Sequence, residues 1–375
     1  MAGIYIHIPF CRKACHYCNF HFSTTHSLLP QMVDAIVKEV SVRKDYIQQS
    51  ISTIYFGGGT PSLCSSADLH KILQAIRQFF LVEKDAEITI ETNPDDITTE
   101  RLLEWKKLGI NRLSIGIQSF SNEDLIWMNR AHNAEQALAC IDMAQAVGLT
   151  NISIDLIYGT PTLTNQQWQQ NVAIAIEKNI PHISCYALTV EPKTALQKMI
   201  DKQKVPSIDT EKQAEHFELL MQWLGNADYN HYEISNFAKP NFQSKHNSSY
   251  WQGEPYIGFG PSAHSFNVHS RQWNVANNAL YIQNMEQNNI PFEIEILSAE
   301  DQLNEYIMTS LRTNTGLNLE KITQQWGNIY ADTIVEKTKL LLQNNLAEMH
   351  QQHIQLTSKG KLLADGIAAD LFFIS

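Results

Sequence analysis

Three cysteines, Cys11, Cys15 and Cys18, stand in the run Phe10-Cys-Arg-Lys-Ala-Cys-His-Tyr-Cys-Asn19. The spacing C-x3-C-x2-C closes three thiolates about one centre. With no fourth cysteine in the run, one iron of a cubane iron-sulfur cluster is left without a protein ligand. An iron with an open position is a chemical site as well as an electron store. A zinc site asks for a fourth ligand and commonly for paired C-x-x-C knuckles; His16 or His21 would have to supply the missing one. Covalent haem attachment asks for C-x-x-C-H, and the residue after Cys18 is Asn19. Cys64, Cys140 and Cys185 are scattered and read as buried small hydrophobes. Six cysteines in 375 residues, with no signal peptide before the first strand, indicate a reducing, cytoplasmic setting and no disulfide framework.

The elements that would position such a cluster are legible. Over the first 230 residues strand and helix patterns alternate, as in a parallel α/β array. Candidate strands lie at 4–8, 52–56, 87–91, 112–117, 151–156 and 182–188, with amphipathic stretches at 28–46, 67–80, 135–147 and 166–178. Gly109 and Gly148 stand where helices would stop. Six units predict an incomplete parallel (β/α)6 barrel, and in such barrels chemistry gathers at the C-terminal ends of the strands. Those ends carry polar residues: the run Gly57-Gly58-Gly59-Thr60-Pro61 after the second strand, Glu91 after the third, Gln118 after the fourth and Asp155 in the fifth. Each alone is an ordinary strand-end polar group, but at successive ends they read as a ligand shell. Missing side chains at Gly58 and Gly59 would let the backbone approach a ligand.

The motif C-x3-C-x-aromatic-C after a first strand resembles the radical S-adenosylmethionine (SAM) superfamily. The resemblance implies a [4Fe-4S] cluster on Cys11, Cys15 and Cys18 whose open iron chelates the amino and carboxylate groups of SAM. An electron from the cluster, supplied by a donor partner, would then cleave SAM to a 5′-deoxyadenosyl radical. It implies further that Gly58, Gly59 and Thr60 contact the SAM amino group. Glu91, Gln118 and Asp155 would bind its ribose and methionine ends, and Arg130 would take its carboxylate, a bidentate task suited to guanidinium. Tyr5 and Tyr17 would flank the cluster.

Within that superfamily the chain resembles the anaerobic coproporphyrinogen III dehydrogenase group, with two departures. The dehydrogenase motif has a further cysteine two residues on, where this sequence has Cys18-Asn19-Phe20, and it has a long N-terminal extension, where four residues precede Tyr5 here. Both point to the sister family, the HemW-type radical SAM haem chaperones, whose H-N-x-x-Y-W motif is His246-Asn247-Ser248-Ser249-Tyr250-Trp251. That family implies haem as cargo, acceptor haemoproteins as partners, and radical machinery with turnover of a porphyrin substrate left open. The alternative is oxygen-independent oxidative decarboxylation of coproporphyrinogen III. If the motif is helical, His246 and Tyr250 share one face and Asn247 and Trp251 the next. His246 could then offer an imidazole to iron while Tyr250 and Trp251 cover the porphyrin. His264, on a glycine-rich loop, is a rival ligand.

The formal net charge is −11, from 28 Lys and Arg against 39 Asp and Glu, and no basic run stands out. Binding to nucleic acid, carried by cations on phosphates, is therefore not expected, and no apolar run is long enough for a membrane span. Composition changes after the motif, with Gln and Asn dense at 272–289. The expected division is a barrel over 1–235 and a smaller, largely helical C-terminal region over 236–375. Helical patterns at 299–312, 318–326 and 330–344 before an alternating stretch at 347–356 suggest a winged-helix-like end.

Overall fold

Strands buried on both faces of a parallel sheet are near-continuous apolar runs, and the chain supplies six. In the computed structural model, which describes residues 1–373, these are β1 (Ala2–Ile8), β2 (Ile51–Gly58), β3 (Val82–Thr92), β4 (Arg112–Gln118), β5 (Ile152–Tyr158) and β6 (His182–Ala187). They pair in parallel, in chain order. Between them run α1 (Leu29–Val42), α2 (Ser66–Phe79), α3 (Thr99–Leu108), α4 (Asn122–Trp127), α5 (Ala134–Ala146) and α6 (Asn165–Glu177). Local signals set the helix limits. Asn133 and Gln136 form a reciprocal capping box on α5, and Gly109 ends α3 at φ 93°, in the left-handed region where a side chain is strained.

Beyond β6 come α7 (Ala195–Asp201) and α8 (Thr210–Asn226), then the short antiparallel pair β7 (Asn230–Glu233) and β8 (Asn236–Ala238), which extends the β6 edge. The motif helix α9 (Lys245–Gln252) follows. It leads into β9 (Tyr256–Phe259), which returns to pair in parallel with β1, and then β10 (His264–Phe266) and β11 (Ser270–Asn274). After α10 (Asn278–Glu286), β12 (Phe292–Ile296) forms the far edge. One sheet of twelve strands results, in the order β12-β11-β10-β9-β1-β2-β3-β4-β5-β6-β8-β7, open at both ends.

The expected division at 235/236 therefore falls inside this sheet. Strand-helix alternation in the sequence ends near residue 230 and the composition then turns Gln- and Asn-rich, but β9 is held by hydrogen bonds to β1, a pairing of residues far apart in sequence. The main hydrophobic core continues to Met285, and a second core begins at Leu303. That second unit has α11 (Ala299–Leu311), β13 (Leu317–Asn318), α12 (Leu319–Trp326), α13 (Asn328–Gln343), β14 (Ala347–His350), β15 (His353–Leu356), α14 (Ser358–Lys361) and α15 (Ala364–Leu371). Its strands make an antiparallel sheet in the order β13-β15-β14, so helices followed by a hairpin give the winged-helix-like outline expected.

Among the described residues no helix is long and apolar enough to cross a membrane.

Candidate functional site

The loop from β1 into α1 carries Cys11, Cys15 and Cys18, all partly exposed and unbridged. It is pinned from several sides. The Cys11 N–H donates to Ser23 O, the His16 N–H to Met128 O, and the Asn129 side chain to Ala14 O. Thr60 Oγ1 lies 3.4 Å from Cys11 Sγ, and Arg130 Nη1 lies 3.3 Å from Cys15 Sγ. Burial pushes the Cys11 thiol up to about 11 and raises that of Cys18, with the neighbouring thiols adding to the shift. Thiolates gathered this closely need a metal to compensate their charge, which suits ligands of a cluster. Among the described residues no three His, Cys, Asp or Glu side chains converge on a single ion; a cubane instead takes its three thiolates on three separate irons. Of the two histidines that could supply a zinc centre's fourth ligand, His16 holds Trp127 O through Nδ1 (2.8 Å) and His21 holds Asn278 Oδ1 through Nε2 (2.7 Å).

Beside the cysteine loop lie Glu91, next to last in β3, Gln118, the last residue of β4, and Asp155, which sits midway along β5 and not at its end as the sequence suggests. Glu91 Oε1 accepts from Tyr55 Oη (2.8 Å) and Oε2 from the Gly58 N–H (3.1 Å). Burial is the main reason its carboxyl rises to about 8; Asp155 also raises it, against these two hydrogen bonds. Asp155 is raised to about 6, again chiefly by burial. Gln118 ends β4 at φ 64°, a conformation uncommon outside glycine, and its amide faces Gly116, where an added Cβ would lie 2.9 Å from Nε2.

Arg130 differs from the expectation of a bidentate clasp. Nη2 donates to Asn93 Oδ1 (2.6 Å) and Gly116 O (2.8 Å), while Nη1 faces Cys15 Sγ and Tyr17 Oη (3.4 Å). Only Nε, buried and without a partner, is left for a ligand. An orphaned donor so close to the cysteines is what an anionic group bound at the cluster would satisfy.

The glycines also have a more internal purpose than expected. A Cβ at Gly58 would lie 2.6 Å from the His7 ring, and one at Gly59 would lie 2.6 Å from Phe10 O, so both let the β2 loop close on β1 and the cysteine run. Gly57, which opens the same run but was given no contact of its own, is the one whose Cβ would crowd Tyr5, Tyr55 and Glu91. Asn93 and Tyr55 were missed. Asn93 sits in the same strand-end run as Glu91, where spacing does not separate side chains that face the site from those that turn a corner. Tyr55 lies in a strand apolar on both faces. Tyr5 donates to His7 Nδ1 (3.1 Å) and stacks near Tyr55, and Tyr17 packs behind Arg130.

The motif helix α9 has the predicted register, with Ser244 capping it and Gly253 ending it. His246, however, is 1% exposed. Its Nδ1 is 2.8 Å from Thr53 Oγ1, its Nε2 is 2.8 Å from Tyr250 Oη, and its ring stacks on Tyr55 with centroids 4.9 Å apart. Burial lowers it to about 3. Both nitrogens are occupied, so the expectation of an axial ligand to haem iron at His246 is corrected: the residue ties α9 to β2. Tyr250 and Trp251 lie on the outward part of the helix, beside Tyr256. His264 is exposed and stacks on Trp273 (6.1 Å).

A parallel sheet whose strand ends surround a three-cysteine loop defines a radical SAM fold, and residues 5–175 match the Radical SAM superfamily. Residues 297–363 match the HemN C-terminal domain, which falls on the second core. The structure titled coproporphyrinogen III oxidase (HemN) from Escherichia coli superposes with a TM-score of 0.85 at 27% identity, over 99% of this chain and 90% of that one. In sequence, the heme chaperone HemW of Bacillus subtilis is 32% identical over 98% of each chain, and that of Mycobacterium tuberculosis 31% identical over 98% of this chain and 94% of its own. The Escherichia coli heme chaperone HemW is 36% identical over 70% of this chain and 69% of its own. The chain belongs to the heme chaperone HemW family.

Proposed function

We propose that this protein binds haem and hands it to acceptor haemoproteins, using a [4Fe-4S] cluster and SAM to govern loading or release and turning over no porphyrin. Cys11, Cys15 and Cys18 hold the cluster, which supplies an open iron and, through a donor protein, an electron. Arg130 Nε meets the SAM carboxylate with a single donor, while Glu91, Gln118 and Asp155 line the remainder of its site. Tyr5 and Tyr17 seal the flanks, and Thr60 and Arg130 stabilise thiolate charge by the contacts already described.

The observation that carries this reading over decarboxylation is Phe20. It stands where the dehydrogenase group has a further cysteine, and the residue is 66% exposed beside the cluster loop. A phenyl ring supplies neither thiol hydrogen nor thiolate at that point. The test is an anaerobic incubation of cluster-reconstituted protein with SAM, reductant and coproporphyrinogen III, read by mass spectrometry. In parallel, haem-loaded protein is mixed with an apo-haemoprotein and followed by the Soret band. Haem transfer with no decarboxylated porphyrin is expected; multiple turnovers to protoporphyrinogen would overturn the carrier reading.

A further inference from the structure

With His246 committed inside, the outward face of α9 borders a cleft of about 470 Å³, between the β9–β11 side of the large sheet and the second core. That volume lies within the range of small-molecule sites, about 300–1,000 Å³. Trp251, Tyr256 and Phe266 form one wall, Tyr306 and Trp326 the other, and the last two rings stack at 5.7 Å and 20°. Such walls suit a broad planar apolar ligand. Met308 from α11 supplies the one thioether lining the cleft.

The polar groups of the cleft are few and point to an acid. The Lys321 ammonium lies 4.3 Å from the centroid of the Tyr306 ring and has no hydrogen-bond acceptor or ion-pair partner among the described residues. Glu254, whose field reaches Lys321, faces the N-terminal ammonium at 3.9 Å. Arg271 gives an Nη2 N–H to Glu305, and its other N–H groups have no partner among the described residues. The indole N–H of Trp251 is buried without an acceptor. A half-buried cation with no ion-pair contact among the described residues, a second with spare donors and an unmet indole N–H, all about an aromatic slot, fit a flat hydrophobic molecule with carboxylates on its edge.

We propose that haem is held here, outside the barrel, with its ring between the aromatic walls and its propionates at Lys321 and Arg271. The inference rests on the carrier reading above and gives it a place: cargo and SAM occupy different sides of the sheet structure, joined through α9, whose His246 touches β2 within the barrel while Trp251 lines the cleft. Met308, the thioether that lines the cleft, would offer the iron a weak axial ligand, suited to cargo that must leave.

The test is titration of haemin into the full chain carrying its reconstituted cluster, read by the Soret band, for the wild type and three variants. Lys321→Glu is expected to weaken binding by about tenfold or more, the scale of one lost charge-assisted contact. Thr309→Trp, filling the cleft, is expected to reduce binding further. Met308→His is expected to tighten binding and move the Soret maximum as imidazole replaces thioether, a gain that misfolding cannot mimic. SAM binding and the melting temperature report that each variant is folded. Wild-type protein that binds no haemin would overturn the carrier reading itself. Wild-type binding with Lys321→Glu unchanged in affinity and Met308→His unchanged in spectrum would place haem elsewhere and overturn this site alone.

Discussion

Glu91 stands between a phenol and a backbone N–H, and burial still wins, so its carboxyl is raised to about 8. Near neutral pH the group is therefore mainly protonated in the ligand-free protein. A ligand carrying a sulfonium cation favours the ionised form, so SAM affinity should rise several-fold as pH climbs towards about 8 and should flatten in Glu91→Gln, measured by equilibrium binding. The same shift acts on stability. Raised above its ordinary value, Glu91 contributes most below that value and loses the contribution as pH rises through about 8; Glu91→Gln should remove that slope from the pH dependence of melting. His246 gives a second prediction at this scale. His246→Ala loses two buried hydrogen bonds and a ring stack, and should cost ~2–4 kcal/mol in urea unfolding while leaving the Soret maximum of bound haem in place. The cysteine run, Glu91 and Gln118 stand out in the sequence because they close or follow apolar strands, whereas Arg130, in the α4–α5 loop, is suggested by the family resemblance alone and Asp155 lies midway along β5. The direction of a histidine ring was not legible, since a helical register gives the face and not what already occupies it.

Between elements, α1 and the β9–β11 extension are joined by a buried ion pair. Arg43, just past α1, bonds Glu39, Gly258 O, Ser265 and Gln272, while Glu39 also accepts from the Gly260 N–H, Asn274 and Tyr281. Every one of these partners except Glu39 lies more than 200 residues away in sequence. Arg43→Met would leave the Glu39 carboxylate buried without its cation, and should cost ~3–5 kcal/mol in denaturant titrations, more than its loss of packing alone would suggest. This network explains why the six barrel strands could be read in advance and the other half of the sheet could not. Strands β1–β6 announce themselves by apolar runs and local helix caps, whereas β9–β12 depend on partners that only folding brings near, and their Gln- and Asn-rich composition resembles a linker.

Across the whole molecule the two cores meet at Arg312. Its guanidinium bonds Glu233 beside the β7–β8 turn and Asp365 of α15, and lies over the Trp251 ring at 5.3 Å. One side chain thus ties the barrel edge, the motif helix and the second core together. Arg312→Ala should leave each core folded but loosen their joint, seen as faster limited proteolysis near residues 297–303, whereas Asp365→Ala, removing only an exposed partner, should change little.

The outer strand of the large sheet has its own consequence for life in a crowded solution. In β12, Phe292, Ile294 and Ile296 alternate with Glu293 and Glu295, and all five are exposed on an edge with unpaired backbone groups. An edge so apolar invites another copy to add itself as a thirteenth strand. Antiparallel addition centred on Ile294 would set each Glu293 against the other copy's Glu295, and parallel addition would set like against like; either costs charge repulsion. The two glutamates therefore act as a fence, keeping copies of this chain from stacking into ribbons.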